Sequence, residues 1–298
     1  MITLRIPLLA AMFAGTMAQS TVYYVSPAGN DANNGTSQST PWRTMARVQQ
    51  YSTNAVAGDQ VLLQRGGTFV GQLTWYGSGT AAANITIGAY GSGALPLISG
   101  TVPVTNWTLH SGNIYKASVA QGVKYVFVNG ALQTLARYPN SGWLRVNTST
   151  NTSLTSANIG QPSGYWNGAS LVIRSTNWCY ENRVISNHSG STISYPNITY
   201  STGNYNWGFF LCNKLSELDT PGEWYHDAAT GVLYLWAPGG ANPGTLQVEA
   251  SVHDHGVFIE WQRSRVRVQD IAFKGQRLTG VYNTGSNNTV TGCTFEKS

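Results

Sequence analysis

VQDIAFKGQRLTGVYNTGSNNTVTGCTF, residues 268–295, sets down one apolar pattern twice: Val268, Ile271 and Phe273 return as Val290, Cys293 and Phe295, 22 residues later. Just upstream, Gly256-Val257 returns as Gly280-Val281 at an offset of 24. Self-similarity at this period marks a repeat unit that buries its apolar positions by stacking on the next copy, as in a solenoid. The earlier copy reads as two strand pieces, Val257 to Trp261 and Arg265 to Phe273, with Asp270 in a turn role. A solenoid end needs a cap, and three residues follow Phe295; we therefore expect a fragment of a longer chain, or a last coil covered by a partner.

Working outward, 42% of the 298 residues are hydrophobic and 10% charged. Asn, Ser, Thr and Gly are abundant, a composition of short strands and turns rather than long helices. The formal charge of +5 is spread along the chain, and its tightest cluster, RSRVR, holds Arg263, Arg265 and Arg267. That is too thin for a nucleic-acid surface. MITLRIPLLAAMFAGTMA has an early Arg5, an apolar run from Ile6 to Ala14, and small residues before Gln19, so residues 1–18 read as a signal peptide and the protein as secreted. No stretch reaches the length of a membrane span. Three cysteines, Cys179, Cys212 and Cys293, cannot all pair; Cys179 and Cys212 are the candidate disulfide, and Cys293 is expected as a buried thiol. Nothing in the Cys/His spacing or the acidic residues specifies a metal, and no cofactor is expected.

After Gln19 the chain runs a strand, Val22 to Val25, into the turn-rich YYVSPAGNDANNGTSQSTPWRTM. A short helix follows in TMARVQQY, capped by Thr44, with Met45, Val48 and Tyr51 on one face. GDQVLLQRG, TFVGQLTW, ITIGAYG and PLISG are glycine-punctuated strands. From about Val104 to Val248 the rhythm changes to aromatic, alternating strands. In VLYLW, Val232, Tyr234 and Trp236 face one way and Leu233 and Leu235 the other, and DAATG has the residues of a tight hairpin. This patterning points to an inserted antiparallel β-sandwich.

The opening YYVSPAGNDANNGTSQSTPWRTM followed by GDQVLLQRGGTFVGQLT resembles the start of secreted right-handed parallel β-helix proteins, the pectate-lyase-like group of polysaccharide lyases and glycoside hydrolases. FVNGALQTLARYPN and GEWYHDAATGVLYLW are similar to the inserted segment of β-xylosidase-like β-helix hydrolases. The resemblance implies an all-β solenoid with an N-terminal cap helix. Its cap and first coils cover residues 19–103, the inserted sandwich 104–248, and the resumed coils 249–298. It implies an enzyme acting on a polysaccharide or oligosaccharide, a glycoside hydrolase first and a polysaccharide lyase second. A non-catalytic glycan-binding or adhesion module is the third reading, because one fold hosts all three.

Glycoside hydrolysis needs two carboxyl groups, one protonated and one ionised. Of the 12 acidic residues, Asp31 and Asp59 read as structural. Asp219, Glu223 and Asp227 flank the hairpin and read as solvated or turn-capping. EASVHDHGVFIEW collects Glu249, Asp254 and Glu260 with His253 and His255, and Asp254, His255 and Glu260 are the catalytic candidates. The competing reading is a polar loop entering a coil. Arg263, Arg265 and Arg267 alternate as a strand's outer face would, a candidate surface for anionic glycan or simply a solvated one. Among 10 Trp and 16 Tyr, Trp143 is the candidate sugar-stacking residue.

Overall fold

The computed structural model describes residues 19–200 and 207–297; the proposed signal peptide lies outside them. The chain divides into two compact units. Unit 1 takes the residues up to Ile98, Val257–Phe273 and Val281–Phe295, and unit 2 takes Ser99–Gly256, Lys274–Gly280 and the residues from Glu296 on. Apart from one helix and three short 3-10 turns, the regular structure is β. Among the described residues no helix is long and apolar enough to cross a membrane.

Unit 1 opens as the sequence predicts. The helix Met45–Ser52 is capped by Thr44, whose hydroxyl accepts from the Arg47 amide at 3.1 Å, and Met45, Val48 and Tyr51 are its buried apolar side. Asp31 fixes the approach to the cap by accepting from the amides of Arg43 and Thr44 and from the Thr44 hydroxyl. Trp42 is 1% exposed and stacks on Tyr23 at 4.7 Å. Position 35 must be glycine: φ is +77°, and a Cβ there would lie 2.5 Å from the Trp42 ring. Asp59 is buried and accepts from the amides of Thr21 and Val56 and from the Tyr51 hydroxyl.

The strands of unit 1 form parallel ladders. The first runs Val22–Val25, Gln60–Gln64, Ile85–Tyr90, Val266–Gln269, Thr289–Thr291. Its register pairs Tyr23 with Val61, Val61 with Ile87, Ile87 with Val268, and Val268 with Val290. Val61, Ile87 and Val268 are each 0% exposed, so one inward position is filled by β-branched residues on successive strands. In a second ladder Leu73 pairs with Val257 and Trp75 with Ile259. A third contains Thr68–Val70, Leu97–Ser99, Ala272–Lys274 and Thr294–Glu296, with Phe273 stacked on Phe295 at 5.1 Å and 7°. Side chains from all three ladders share one buried cluster. Parallel neighbours require a crossover after every strand, and the chain leaves this unit at Ile98 and returns at Val257.

Two strand expectations shift. The piece read as Val257 to Trp261 is His255–Ile259, and Trp261 is 69% exposed. The piece read as Arg265 to Phe273 is broken into Val266–Gln269 and Ala272–Lys274, because Asp270 takes a φ of +56°. A left-handed residue cannot continue a strand.

Unit 2 is built mainly from antiparallel sheets, with Thr134–Leu135 added in parallel to Glu223 and Trp224. Glu223–Asp227 and Val232–Trp236 form the expected hairpin, Asp227 accepting from the Ala229 amide within its turn, and Ile114–Ser118 and Thr108–Ser111 extend the sheet. A second sheet joins Ser170–Arg174 to Tyr180–Val184 on one side and Gly208–Cys212 on the other. One apolar cluster surrounds Trp166, and another surrounds Trp224, Leu233 and Leu235.

Cys179 and Cys212 are both free thiols, which corrects their pairing. Cys212 is buried in its strand, and burial pushes its thiol up to about 11, against the pull of nearby Arg137. A thiol reagent at pH 8 should therefore label Cys179 in the native protein and reach Cys212 only after denaturant is added. Equal labelling of both in the native protein would contradict this placement. Cys293 is half-buried against the unit 1 core, and its thiol is likewise raised by burial.

Candidate functional site

The residues singled out in EASVHDHGVFIEW have separate roles. Asp254 forms an ion pair with the Arg277 side chain at 3.1 Å. Arg277 also donates to the Gly122 carbonyl at 2.9 Å. His255 Nδ1 lies 2.8 Å from the Thr279 hydroxyl. Burial lowers the pKa of both His253 and His255, opposed by the Asp254 charge. Glu260 belongs to unit 1, where its carboxylate accepts from the Trp261 amide at 3.2 Å. Glu249 accepts from the Thr101 hydroxyl at 3.0 Å.

The arginine stripe does not form. Arg267 is in the strand Val266–Gln269, paired with Thr86 and Thr289, and is exposed. Arg263 and Arg265 precede that strand, and Arg265 has a φ of +61°. Strand alternation therefore does not carry the three guanidinium groups onto one face.

A groove of about 640 Å³ in unit 2 gathers a different set: Asn167, Asn213, Lys214, Ser216 and Tyr225 line it. Each is positioned by its neighbours. Asn167 accepts from the His188 amide at 2.7 Å through its side-chain oxygen. Asn213 turns the chain with a φ of +62° as the strand Gly208–Cys212 ends. The Lys214 ammonium sits 4.7 Å from the centre of the Tyr165 ring. The Tyr165 hydroxyl bonds to Ser216, at 2.8 Å, and to the Glu217 carboxylate. The groove thus offers amides, a hydroxyl, an ammonium and an aromatic side chain, groups of the kinds that hydrogen-bond to and pack on a polyol.

Behind this wall lies a cluster of carboxyl groups. Glu217 is 5% exposed; burial raises its pKa, reinforced by Asp219 and opposed by the Tyr165 hydrogen bond. Glu223 is 1% exposed, and burial pushes it up to about 7, although the amides of Asp219, Arg137 and Thr220 pull the other way. The side chain of Asn140 donates to Asp219 at 2.8 Å. This corrects the reading of Glu223 as a solvated or turn-capping residue: it is a buried strut between the Arg137 and Asp219 backbones. GEWYHD places Glu223 on the same strand face as the half-buried Tyr225 and Asp227, while Trp224 and His226 on the other face are buried, so alternation alone could not reveal which acid is inside. Among the described residues no group of three His, Cys, Asp or Glu side chains could hold a metal ion.

Comparison with known proteins adds a class. No family model matches the chain. It is 43% identical over 81 residues to a lacto-N-biosidase of Bifidobacterium longum subsp. longum, a match covering 26% of this chain and 5% of that protein. Its fold is similar to a structure described as a glycoside hydrolase, with TM-score 0.67, 19% identity, and coverage of 86% of this chain and 51% of the other. It is also similar to XylC in complex with xylose, with TM-score 0.50, 14% identity, and coverage of 87% and 36%. The chain thus spans about half or less of the length of each of these proteins. The likeness is to carbohydrate-active proteins of the glycoside hydrolase class.

Proposed function

We propose that this chain is part of a secreted glycoside hydrolase acting on oligosaccharides. In this reading residues 19–103 and 249–298 wind a right-handed parallel β-helix, and residues 104–248 form an antiparallel insert. The observation that carries the function is the 43% identity over 81 residues to a lacto-N-biosidase; the fold likeness to a glycoside hydrolase supports the architecture. The three parallel ladders, each taking strands from before Ile98 and after Val257, support the coil reading, and strand crossovers are almost always right-handed. The unit 2 groove is the proposed sugar site, with Tyr225 as stacking surface and Lys214, Asn167, Asn213 and Ser216 as hydrogen-bonding groups. Asp254 and His255 in unit 2, and Glu260 in unit 1, remain proposed catalytic residues, Asp254 being ion-paired with Arg277.

The test incubates the protein with a lacto-N-biose-terminated oligosaccharide and with a xylo-oligosaccharide. Release of new reducing ends without ultraviolet absorbance from an unsaturated uronate is expected. Tyr225→Ala and Lys214→Met should each weaken sugar binding about tenfold, the worth of one stacking or charge-assisted contact. Release of unsaturated products from a uronate polymer would instead establish a lyase. Sugar retention with no bond cleavage would leave a binding module.

A further inference from the structure

The sheet Tyr180–Val184, Ser170–Arg174, Gly208–Cys212 buries one face, where Leu171, Ile173, Phe209 and Leu211 are each 0% exposed. Its other face buries Cys212 but exposes aromatic side chains at one end. Tyr180 is 55% exposed and Trp143 44%, their ring centroids 5.5 Å apart at 33°, and Trp143 also meets Phe210 edge-on at 5.0 Å. Trp143 is seated there by a glycine. A Cβ at position 208 would lie 2.8 Å from the Trp143 Cβ and 3.1 Å from its ring, so any larger residue would lift the indole off the sheet. Exposed aromatic clusters of this kind carry a desolvation penalty and mark binding surfaces.

The charge on this face is positive. Arg174 bonds to the Thr176 and Asn177 carbonyls, which are neutral, and the Arg137 guanidinium lies 4.0 Å from the Phe210 ring centre. The sheet's acid, Glu181, is 7% exposed and is paired with Arg183 at 2.7 Å. Beside the aromatic face, Asn182 borders a hollow of about 270 Å³, lined by polar and apolar groups alike, that also takes in Lys124, Asn213 and His226. Flat rings, an amide and the guanidinium of Arg174, bonded to neutral carbonyls, fit a sugar chain whose rings stack and whose carboxylate or sulfate groups meet the cation.

We propose that this face of unit 2 is a second glycan-binding surface, centred on Trp143 and Tyr180 and meeting the groove at Asn213, that takes an acidic polysaccharide strand across Trp143 and Tyr180 towards Asn182 and Lys124. It rests on the reading of the chain as carbohydrate-active, but not on hydrolysis.

The experiment is calorimetric titration with an oligogalacturonate and with a neutral xylo-oligosaccharide of equal length. The oligogalacturonate is expected to bind, about tenfold more weakly at 300 mM than at 50 mM salt as screening removes the charge contribution. Trp143→Ala and Tyr180→Ala should each weaken it about tenfold, and Arg174→Gln should flatten the salt dependence. Gly208→Ala should act like Trp143→Ala while leaving the melting curve within a few degrees, which separates a displaced platform from a misfolded unit. Lys214→Met, in the groove, should change nothing here. No binding, equal binding of the neutral oligomer, or unchanged affinity in Trp143→Ala and Tyr180→Ala would overturn the proposal. Cleavage of a neutral oligosaccharide with none of these effects would sink this surface and leave the hydrolase reading standing; acidic-glycan binding without any cleavage would do the reverse.

Discussion

Replacing Ile87 with alanine should lower stability by about 3 kcal/mol, whereas Thr86→Ala, next to it, should cost less than about 0.5 kcal/mol. Ile87 is 0% exposed and stands between Val61 and Val268 in the parallel ladder. Removing its side chain leaves a cavity whose walls are strands hydrogen-bonded on both sides, which cannot close inward. Thr86 pairs with Gln60 and Arg267 and is half-exposed. Urea unfolding followed by circular dichroism measures both variants. A cost at Ile87 no larger than that at Thr86 would mean the ladder does not face a shared core.

The second large effect is on pH dependence and comes from Glu223. Its folded value is about 7, against an ordinary 4.5, because burial penalises the carboxylate. The native protein therefore keeps a proton that the unfolded chain gives up between these values. The stability contribution is complete below the ordinary value and is lost as the pH climbs through the folded one, a decline of about 2–3 kcal/mol between roughly pH 5 and pH 8. Glu217, raised in the same direction by burial, adds to the same slope. Glu223→Gln should flatten most of the decline. It should also lower stability at pH 5, because an amide cannot accept from both the Arg137 and Asp219 backbones. Urea midpoints across this range would show it, and an unchanged slope in the variant would contradict the burial argument.

Local periodicity made much of unit 1 legible. The 22-residue offset that aligned Val268 with Val290 is the observed register, and the Thr44 cap with its Met45, Val48 and Tyr51 face is the observed helix. These rest on contacts between near neighbours or on a repeated pattern. What the sequence hid depends on backbone geometry and distant partners. Left-handed Arg265 holds back the start of a strand that reads as beginning there, whereas the turn expected at Asp270 is present. The groove unites Asn167 and Tyr225 from segments nearly sixty residues apart, and Glu223 meets the amide of Arg137, 86 residues away. No spacing rule brings such residues together. The Asp254–Arg277 pair, by contrast, lies close to the 24-residue offset of Gly256 and Gly280, the Leu278 amide donating to the Asp254 carbonyl.

The coil reading of the fold depends on the parallel rungs of unit 1, and paired spin labels test these most directly. In a background with Cys179, Cys212 and Cys293 replaced by alanine, labels are placed on cysteines at 86 and 267, at 267 and 289, or at 86 and 289. Thr86 and Thr289 both pair with Arg267, on adjacent strands, about 5 Å apart by ladder spacing. Strong dipolar broadening is expected for both adjacent pairs and weaker broadening for the 86/289 pair, two strands apart. Absence of broadening in either adjacent pair, or stronger coupling between 86 and 289 than between 86 and 267, would contradict the fold.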